Sequence, residues 1–266
     1  MFSIKKINNE VVREVPLKDP KDTRLPKGYR LFPEMNANIF LCAKRNSGKS
    51  TVINTILRKC AGPNTKIIVF CATLEHDKNW ISIQEWANEK GITFIGSTCL
   101  KDSNKVDHLK ELVKELTTLK DKKGSKEIDL RSEWDSDDED EKPRRSKYQE
   151  PEYIFVLDDL STEIKNPSVA ELLKINRHFR SKTIISSQWL NDMHPSARLQ
   201  LDYYLLFKGH PREKIDDIYS KADLSIPQDD FYNIYRFATE EPYSFLYVDV
   251  RKDSFRRNFN TLIRIS

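Results

Sequence analysis

Residues 38–51, which read NIFLCAKRNSGKST, join a strand-length apolar run to a helical pattern through a short polar loop. The pattern predicts a strand over 38–43 and a helix over 49–61, with Gly62 as the stop signal. A loop between a buried strand and a helix presents several backbone N–H groups at the positive end of the helix dipole. This segment therefore predicts an anion-binding turn, and it constrains the fold around it more than any other part of the chain.

The loop fits the phosphate-binding pattern G-x-x-x-x-G-K-[ST] except at its first position, where Ala43 replaces glycine. In that pattern backbone N–H groups surround the β-phosphate, the lysine binds the β- and γ-phosphate oxygens, and the hydroxyl binds Mg²⁺. Alanine can hold the first position only if its φ stays negative. We predict a nucleotide-binding loop rather than an incidental strand–helix turn. Its residues are Ala43, Lys44, Arg45, Asn46, Ser47, Gly48, Lys49, Ser50 and Thr51.

The rest of the chain repeats the alternation of strand-length apolar runs and helical patterns. Runs typical of strands lie at 66–73, 92–95, 153–157, 183–187, 203–207 and 244–250. Patterns typical of helices lie at 78–90, 104–120, 168–179, 212–221 and 229–237. Strands that are apolar along their whole length and separated by helices indicate a mostly parallel sheet. The predicted fold class is therefore α/β, a P-loop NTPase with a mostly parallel central sheet flanked by helices on both faces.

Two segments depart from this alternation. Residues 1–35 are polar and contain four prolines, which predicts an extended arm laid over one P-loop ATPase domain at 36–266. Residues 121–150 lose apolar periodicity and include the run 133–141, which carries seven acids and no base. This composition predicts a disordered acidic insert, although an acidic tether could also imitate nucleic acid and shield a basic surface. Without that run the 41 acids fall to 34 against 45 bases, which mildly favours a polyanionic partner.

The predicted strand at 153–157 runs directly into two carboxylates, Asp158 and Asp159. Two such groups at the end of a buried strand are costly unless a cation or hydrogen-bond donors compensate them. In a P-loop enzyme a second acidic site holds Mg²⁺ and orients the attacking water. We predict that Asp158 binds Mg²⁺ together with Ser50 and that Asp159 polarises the water. A turn or helix-capping acid would explain one of the two carboxylates more easily than both.

A polar residue, Gln188, ends the predicted strand at 183–187. In the central sheet of such a fold this strand is expected beside the phosphate loop, which would bring Gln188 within reach of the γ-phosphate. There it could sense hydrolysis and position water. The alternative is an ordinary exposed glutamine after a strand.

Two arginines lie between the acidic pair and this glutamine, at the end of a predicted helix. Arg177 and Arg180 could reach the nucleotide of a neighbouring subunit and neutralise charge in the transition state. They could equally be helix C-terminal cations favoured by the dipole. Arg198 is a further candidate, and His178 is expected to be structural.

Length and composition exclude two other classes of protein. No stretch approaches the roughly 20 consecutive apolar residues of a membrane helix, so no membrane span is expected. The N-terminus has no apolar core of a secretion signal. Cys42, Cys60, Cys71 and Cys99 have neither metal-site nor disulfide-framework spacing, which predicts reduced, mostly buried thiols in an intracellular protein.

The succession AKRNSGKST, YIFVLDDL, NRHFR and TIISSQW, ending in SFLYVDV, resembles the poxvirus-type DNA-packaging ATPases of large DNA viruses and virophages. These belong to the FtsK–HerA branch of P-loop motors, and the similarity extends over about residues 30–250. The resemblance assigns Lys49 and Ser50 to the phosphate and Mg²⁺ roles, Asp158 and Asp159 to the acidic pair, and Gln188 to the sensor.

This resemblance implies an ATP-driven translocase that moves double-stranded DNA into a preformed capsid. It implies ATP and Mg²⁺ as cofactors, assembly into a homo-oligomeric ring, and capsid proteins as further partners. It also implies a location in the host cell cytoplasm, at a viral factory, or in the virion.

Without the resemblance, the residues themselves are compatible with two other functions. A P-loop kinase of a small acceptor would need an arginine-rich lid, whereas the loop available at 121–150 is acidic in its middle. A nucleotide-gated assembly protein without catalysis is compatible with Ala43 and with an aspartate, rather than the frequent glutamate, at position 159. The tail at 251–259 interleaves bases with aromatics, which suits either contact with nucleic acid or a strand at the edge of the sheet.

Overall fold

The computed structural model describes residues 22–130 and 147–264, and within 120–130 it describes the backbone alone. Within these residues nine strands form one sheet and seven α-helices pack around it. The strands are β1 (Ala37–Cys42), β2 (Lys66–Cys71), β3 (Thr93–Ser97), β4 (Tyr153–Asp158), β5 (Ser181–Ser187), β6 (Tyr203–Phe207), β7 (Phe245–Asp249), β8 (Ser254–Arg257) and β9 (Thr261–Ile263). The helices are α1 (Lys49–Cys60), α2 (Lys78–Glu89), α3 (His108–Leu130), α4 (Pro167–Ile175), α5 (Pro195–Arg198), α6 (Arg212–Ala222) and α7 (Gln228–Ala238).

The strand order is β3-β2-β4-β5-β1-β6-β7-β8-β9. The first six strands of this order run parallel, and β7, β8 and β9 each pair antiparallel with their neighbours. Crossover connections through helices explain why the strands from β1 to β6 are parallel, whereas short turns connect the last three. The mostly parallel α/β sheet predicted from the sequence is confirmed.

Both faces of the sheet are buried, as the apolar strands require. Along β1, Phe40 and Cys42 belong to one core cluster while Ile39 and Leu41 belong to the other. The first cluster contains residues of α3, α4, α6 and α7, and the second contains residues of α1 and α2. Because successive residues of a strand point to opposite faces, a run without polar residues is needed to fill both layers.

Helix α3 is longer than the sequence pattern indicates. Among its described side chains, up to residue 119, Leu116 is the last that is buried, but the helix continues to Leu130. Residues 121–130, predicted to begin the disordered insert, are therefore helical. Three lysines and one glutamate among these ten residues favour helix, whereas Gly124 disfavours it. The remainder of the predicted insert at 131–146, including the acidic run, lies outside the described residues.

The part of the N-terminal segment at 22–35 packs on the domain. The backbone of Lys27 donates a hydrogen bond to Gln149, which anchors the segment where the chain returns to the sheet. Phe32 is fully buried and makes ring contacts with Tyr203, Tyr247 and Phe259. Residues 1–21 of the predicted arm lie outside the described residues.

The C-terminal tail is part of the sheet. Ser254–Arg257 form β8, in which Phe255 is buried, and Phe259 packs against Phe32. The strand alternative for this tail is thus confirmed, since two of its aromatic rings contact the core rather than solvent. No helix within the described ranges is both long and apolar enough to span a membrane. Cys42, Cys60 and Cys71 are buried free thiols.

Candidate nucleotide-binding site

The carboxyl ends of β1, β4 and β5 meet at one edge of the sheet, because parallel strands in register end together. Cys42 pairs with Ser187, and Asp158 pairs with Ser186. A groove of about 610 Å³ lies above these ends. Ligand sites in open α/β sheets form at this edge. The predicted residues that line the groove are Ala43, Lys44, Arg45, Asn46, Gly48, Lys49, Ser50, Thr51, Asp158, Asp159 and Gln188.

The loop between β1 and α1 turns through two left-handed residues, Asn46 at φ 60° and Gly48 at φ 89°. Ala43 keeps a negative φ, so alanine meets the condition set for the first motif position. Its N–H donates to the Ser187 carbonyl at 3.2 Å, which continues the β1–β5 pairing into the loop. Ser47 faces the outer side, where its hydroxyl donates to the Lys44 carbonyl at 2.7 Å. The loop backbone is thus compatible with the phosphate-binding turn.

Lys49 compensates the acidic pair. Its Nζ lies 2.7 Å from Asp158 Oδ1 and 3.8 Å from Asp159 Oδ1. The side chain of Asp158 is 4% exposed, whereas that of Asp159 is 57% exposed. Burial of the ammonium group lowers the pKa of Lys49, but the facing carboxylates raise it by more, so the net pKa lies above its usual value. Lys49 is therefore a firmly charged cation at the centre of the groove.

The two acids differ in backbone conformation as well as exposure. Asp158 is the last residue of β4, and Asp159 adopts φ 57° in the left-handed region. This change of conformation turns the Asp159 carboxylate out of the sheet and into the open groove. The pair thus offers one buried and one solvent-facing carboxylate, as the two predicted roles require.

The donor set at the loop fits Mg²⁺. The ion is usually held by one or two carboxylates together with substrate phosphates and water. Asp158 supplies a buried carboxylate and Ser50 a hydroxyl, and both line the groove at the N-terminus of α1. Apart from Lys49, no described residue donates a hydrogen bond to the Asp158 carboxylate, which leaves it lone pairs for a metal.

Gln188 follows β5, which lies beside β1 as expected. Its side chain lines the groove. Its backbone carbonyl accepts hydrogen bonds from Lys214 Nζ at 3.0 Å and Cys42 Sγ at 3.6 Å. Lys214 also lies 4.3 Å from the centre of the Trp189 ring. These contacts hold the backbone carbonyl of Gln188 beside the groove.

The predicted arginines do not reach this groove. Arg177 and Arg180 precede β5, and Gln188 follows it, so they lie at opposite edges of the sheet. The seven residues of β5 separate the edges by about 20 Å at roughly 3.3 Å per residue. Either arginine could therefore serve only a neighbouring subunit. The guanidinium of Arg198 donates instead to the carbonyls of Met193 and Asn191.

Several residues of the groove were not predicted. Thr73, Asp77 and Asn79 line it from the β2–α2 connection, and Tyr243 lines it from the turn before β7. Asp77 also caps α2, because its side chain accepts from the Asn79 N–H at 2.8 Å. Thr73 could have been identified from the sequence, because it comes shortly after a buried parallel strand, as Asp159 does. No local sequence pattern points to Tyr243, because its position depends on contacts between residues distant in sequence.

His210 is a second unpredicted residue near the loop. It is buried beyond the end of β6, and its Nε2 lies 3.0 Å from the carbonyl of Cys42, immediately before the loop. Burial, together with the nearby charges of Lys214 and Lys44, lowers the pKa of His210, although the hydrogen bond to Cys42 opposes this. The imidazole is therefore neutral, with Nε2–H donating to the end of β1.

The lowered pKa of His210 predicts a loss of stability in mild acid. As pH falls below about 6.5, the unfolded chain takes up a proton on this residue before the folded chain does, so the free energy of unfolding decreases. We expect His210→Gln to weaken this dependence, because glutamine can donate to the same carbonyl but does not titrate. Chemical unfolding of both proteins at pH 7.5 and 5.5 measures it, and because pH 5.5 is one unit below the ordinary histidine pKa, the loss from this residue is at most about 1.4 kcal/mol. Equal losses in both proteins would contradict the assignment.

Comparison with known proteins supports the fold. Neither a protein-family model nor a curated protein matches the sequence. Among solved structures, the genome packaging NTPase B204 from Sulfolobus turreted icosahedral virus 2, in complex with AMPPCP, superposes with a TM-score of 0.54 at 16% identity. The match covers 87% of this chain and 100% of B204. A structure of B204 in complex with AMP gives 0.53 at 16% identity, over 85% of this chain and 98% of that one.

A secretion ATPase shows a similar likeness. The cytoplasmic domain of the Type VII secretion ATPase EccC of Thermomonospora curvata gives a TM-score of 0.51 at 12% identity, over 81% of this chain. The chain spans about a quarter of that protein, since the match covers 24% of it. At these identities the likeness establishes a shared fold, and the α/β P-loop NTPase fold predicted from the sequence is confirmed.

Proposed function

We propose that this chain is an ATPase of the FtsK–HerA type that uses Mg²⁺ and couples ATP hydrolysis to the movement of double-stranded DNA into a viral capsid. One observation carries the proposal. The phosphate loop, the acidic pair and Gln188 come from three separate strand ends, and all line one groove around the Lys49–Asp158 ion pair. An incidental surface turn would not account for three separate motif elements that meet at one groove.

Each residue has a distinct part in the proposed reaction. The loop N–H groups and the N-terminus of α1 bind the phosphates, and Lys49 neutralises the β- and γ-phosphate oxygens. Asp158 and Ser50 would hold Mg²⁺, which when bound supplies further neutralisation of the phosphate charge. Asp159 faces the open groove, where it can accept a hydrogen bond from the attacking water. Gln188 stands on the neighbouring strand end and senses the γ-phosphate.

Coupling to DNA rests on two kinds of support. B204, a viral genome packaging NTPase, has the same fold, and the motif succession resembles that of packaging ATPases. The basic remainder of the chain outside 133–141 suits a phosphate backbone. The proposal includes a homo-oligomeric ring in which exposed Arg177 or Arg180 of one subunit serves the groove of the next. It also includes capsid proteins as partners and a location at the viral factory or in the virion.

Linear duplex DNA is expected to stimulate Mg²⁺-dependent ATP hydrolysis several-fold, because a translocase hydrolyses ATP faster when it is bound to the DNA along which it moves. The stimulation should decline steeply between about 50 and 200 mM salt, because releasing counterions from DNA into a more concentrated salt solution gains less free energy. Phosphate release with and without DNA measures both effects. Hydrolysis that is indifferent to DNA would overturn the translocase and favour a kinase of a small acceptor. Nucleotide binding without hydrolysis would favour a non-catalytic assembly protein.

A further inference from the structure

An exposed aromatic ring lies against the phosphate loop. Tyr243, in the turn between α7 and β7, is 70% exposed, and its backbone adopts φ 62°. A Cβ placed on Gly48 would lie 3.3 Å from Tyr243 Cδ1, so the ring contacts the loop directly. Bulky residues rarely adopt positive φ, and when the surrounding structure holds one there, a functional reason is worth seeking.

The turn that carries this ring is held from several sides. Lys208 Nζ donates to the carbonyl of Glu240 at 2.5 Å, and Arg257 Nη2 lies 2.7 Å from Glu241 Oε1. Ser244 closes the turn, since its hydroxyl donates to the Glu241 carbonyl at 2.7 Å. Contacts from β6, from β8 and from within the turn thus fix a conformation that leaves the ring in solvent. An apolar ring that only braced the loop would not need this exposure.

The ring also lies on the side of the loop where a nucleoside would be expected. Asp158, Asp159 and Gln188 mark the γ-phosphate end, and they lie at β4 and β5 on one side of β1. The turn with Tyr243 leads into β7, beyond β6 on the other side of β1. A second cavity of about 280 Å³ adjoins the loop there, and the ring borders both cavities.

We propose that Tyr243 is the platform on which the base of a bound nucleoside triphosphate stacks. The proposal rests on the proposed function, because the acidic side of β1 is assigned to the γ-phosphate. Base–aromatic stacking needs an accessible ring face of fixed orientation, which the pinned turn provides. Stacking also tolerates different bases, so the ring strengthens the binding of nucleosides in general. Because it contacts the base, it adds little to the binding affinity for phosphates.

Binding of ATP and of inorganic tripolyphosphate separates the two parts of the nucleotide. Calorimetric titration of the full chain with each ligand is the measurement. Tyr243→Gly and Tyr243→Asn remove the ring, and both residues suit the positive φ, so the turn is retained. We expect both variants to bind ATP roughly tenfold to a hundredfold more weakly and tripolyphosphate unchanged. Tyr243→Phe should keep ATP affinity within about twofold, because the stacking face remains.

A control is Leu262→Ala, which removes a large exposed apolar side chain, on β9, that lines neither cavity. It should leave both affinities unchanged. Equal weakening of ATP and tripolyphosphate in the Tyr243 variants would overturn the stacking role and make the ring a brace for the loop. Unchanged ATP affinity would overturn it as well. Failure of the wild-type chain to bind either ligand would instead overturn the proposed function on which the inference rests.

Discussion

Lys49→Ala is expected to lower Mg²⁺-dependent ATP hydrolysis by at least about a hundredfold. The reason is electrostatic, because Lys49 is the only described basic side chain whose charged group lies within 4 Å of both Asp158 and Asp159. Removal of one preorganised charge or donor from a transition state usually costs a factor of about 10²–10³ in kcat. Steady-state phosphate release, measured at saturating ATP, tests the expectation. Lys59→Ala, at the exposed far end of the same helix, is the matched control and should keep wild-type turnover.

The same substitution also carries a structural cost. Lys49 faces the buried carboxylate of Asp158, and breaking a buried ion pair by removing one partner typically destabilises a protein by about 3–5 kcal/mol. Because Lys49 is partly exposed, we expect a value at or below the low end of that range. Combining Lys49→Met with Asp158→Asn removes both charges and should recover most of the stability. If activity returned together with stability, Lys49 would be a structural cation and the proposed reaction would lose its central residue.

The sequence could predict those parts of the site that depend on the ends of consecutive buried strands. Asp158 was predicted near the loop because a P-loop enzyme needs a second acidic site, and Gln188 because its strand is expected beside the loop in such a fold. The structure brings them together because parallel strands in register end at one edge. The first position of the motif was resolved by a single dihedral, since Ala43 keeps the negative φ that alanine requires. These placements depend on only two pairings, that of β5 with β1 and that of β4 with β5.

The residues that were missed depend on contacts far apart in sequence. Tyr243 reaches the loop because β7 pairs antiparallel with β6, and His210 reaches Cys42 because β6 pairs with β1. No local pattern reports either pairing. The helical continuation of α3 through 121–130 was missed for a different reason, since the loss of apolar periodicity removes the pattern from which a helix is predicted.

For Arg177 and Arg180 the fold determines the position but not the role. Arg177 and Arg180 lie beyond the amino end of β5, so one chain cannot bring them to its own groove. Arg177 is exposed, and Arg180 is partly exposed with its Nε 4.0 Å from Glu152 Oε1. Both positions are compatible with a role in a neighbouring groove and equally with a helix-end cation. The distinction depends on how subunits are arranged, which is a property of the assembly and not of the fold.

Asp159→Asn is expected to lower turnover by about 10²–10⁴-fold while ATP binding stays close to that of the wild type. A carboxylate that accepts a proton or hydrogen bond from the attacking water contributes a factor of this size. The substitution removes the negative charge and changes little else. Asparagine is isosteric with aspartate and is among the residues that best tolerate the left-handed conformation at φ 57°. The side chain is 57% exposed, so no buried charge is left unpaired.

Asp223→Asn is the matched control for this experiment. Asp223 is also exposed and left-handed, at φ 49°, but it ends α6 outside the groove. It should keep wild-type turnover. Equilibrium titration with ATP and steady-state hydrolysis, carried out on both variants, separate binding from chemistry. Retained hydrolysis in Asp159→Asn would remove the water-orienting role and leave Gln188 to supply it, because no other predicted water-positioning residue lines the described groove. Loss of ATP binding would instead place Asp159 with Asp158 and Lys49 in the recognition of the metal–phosphate group.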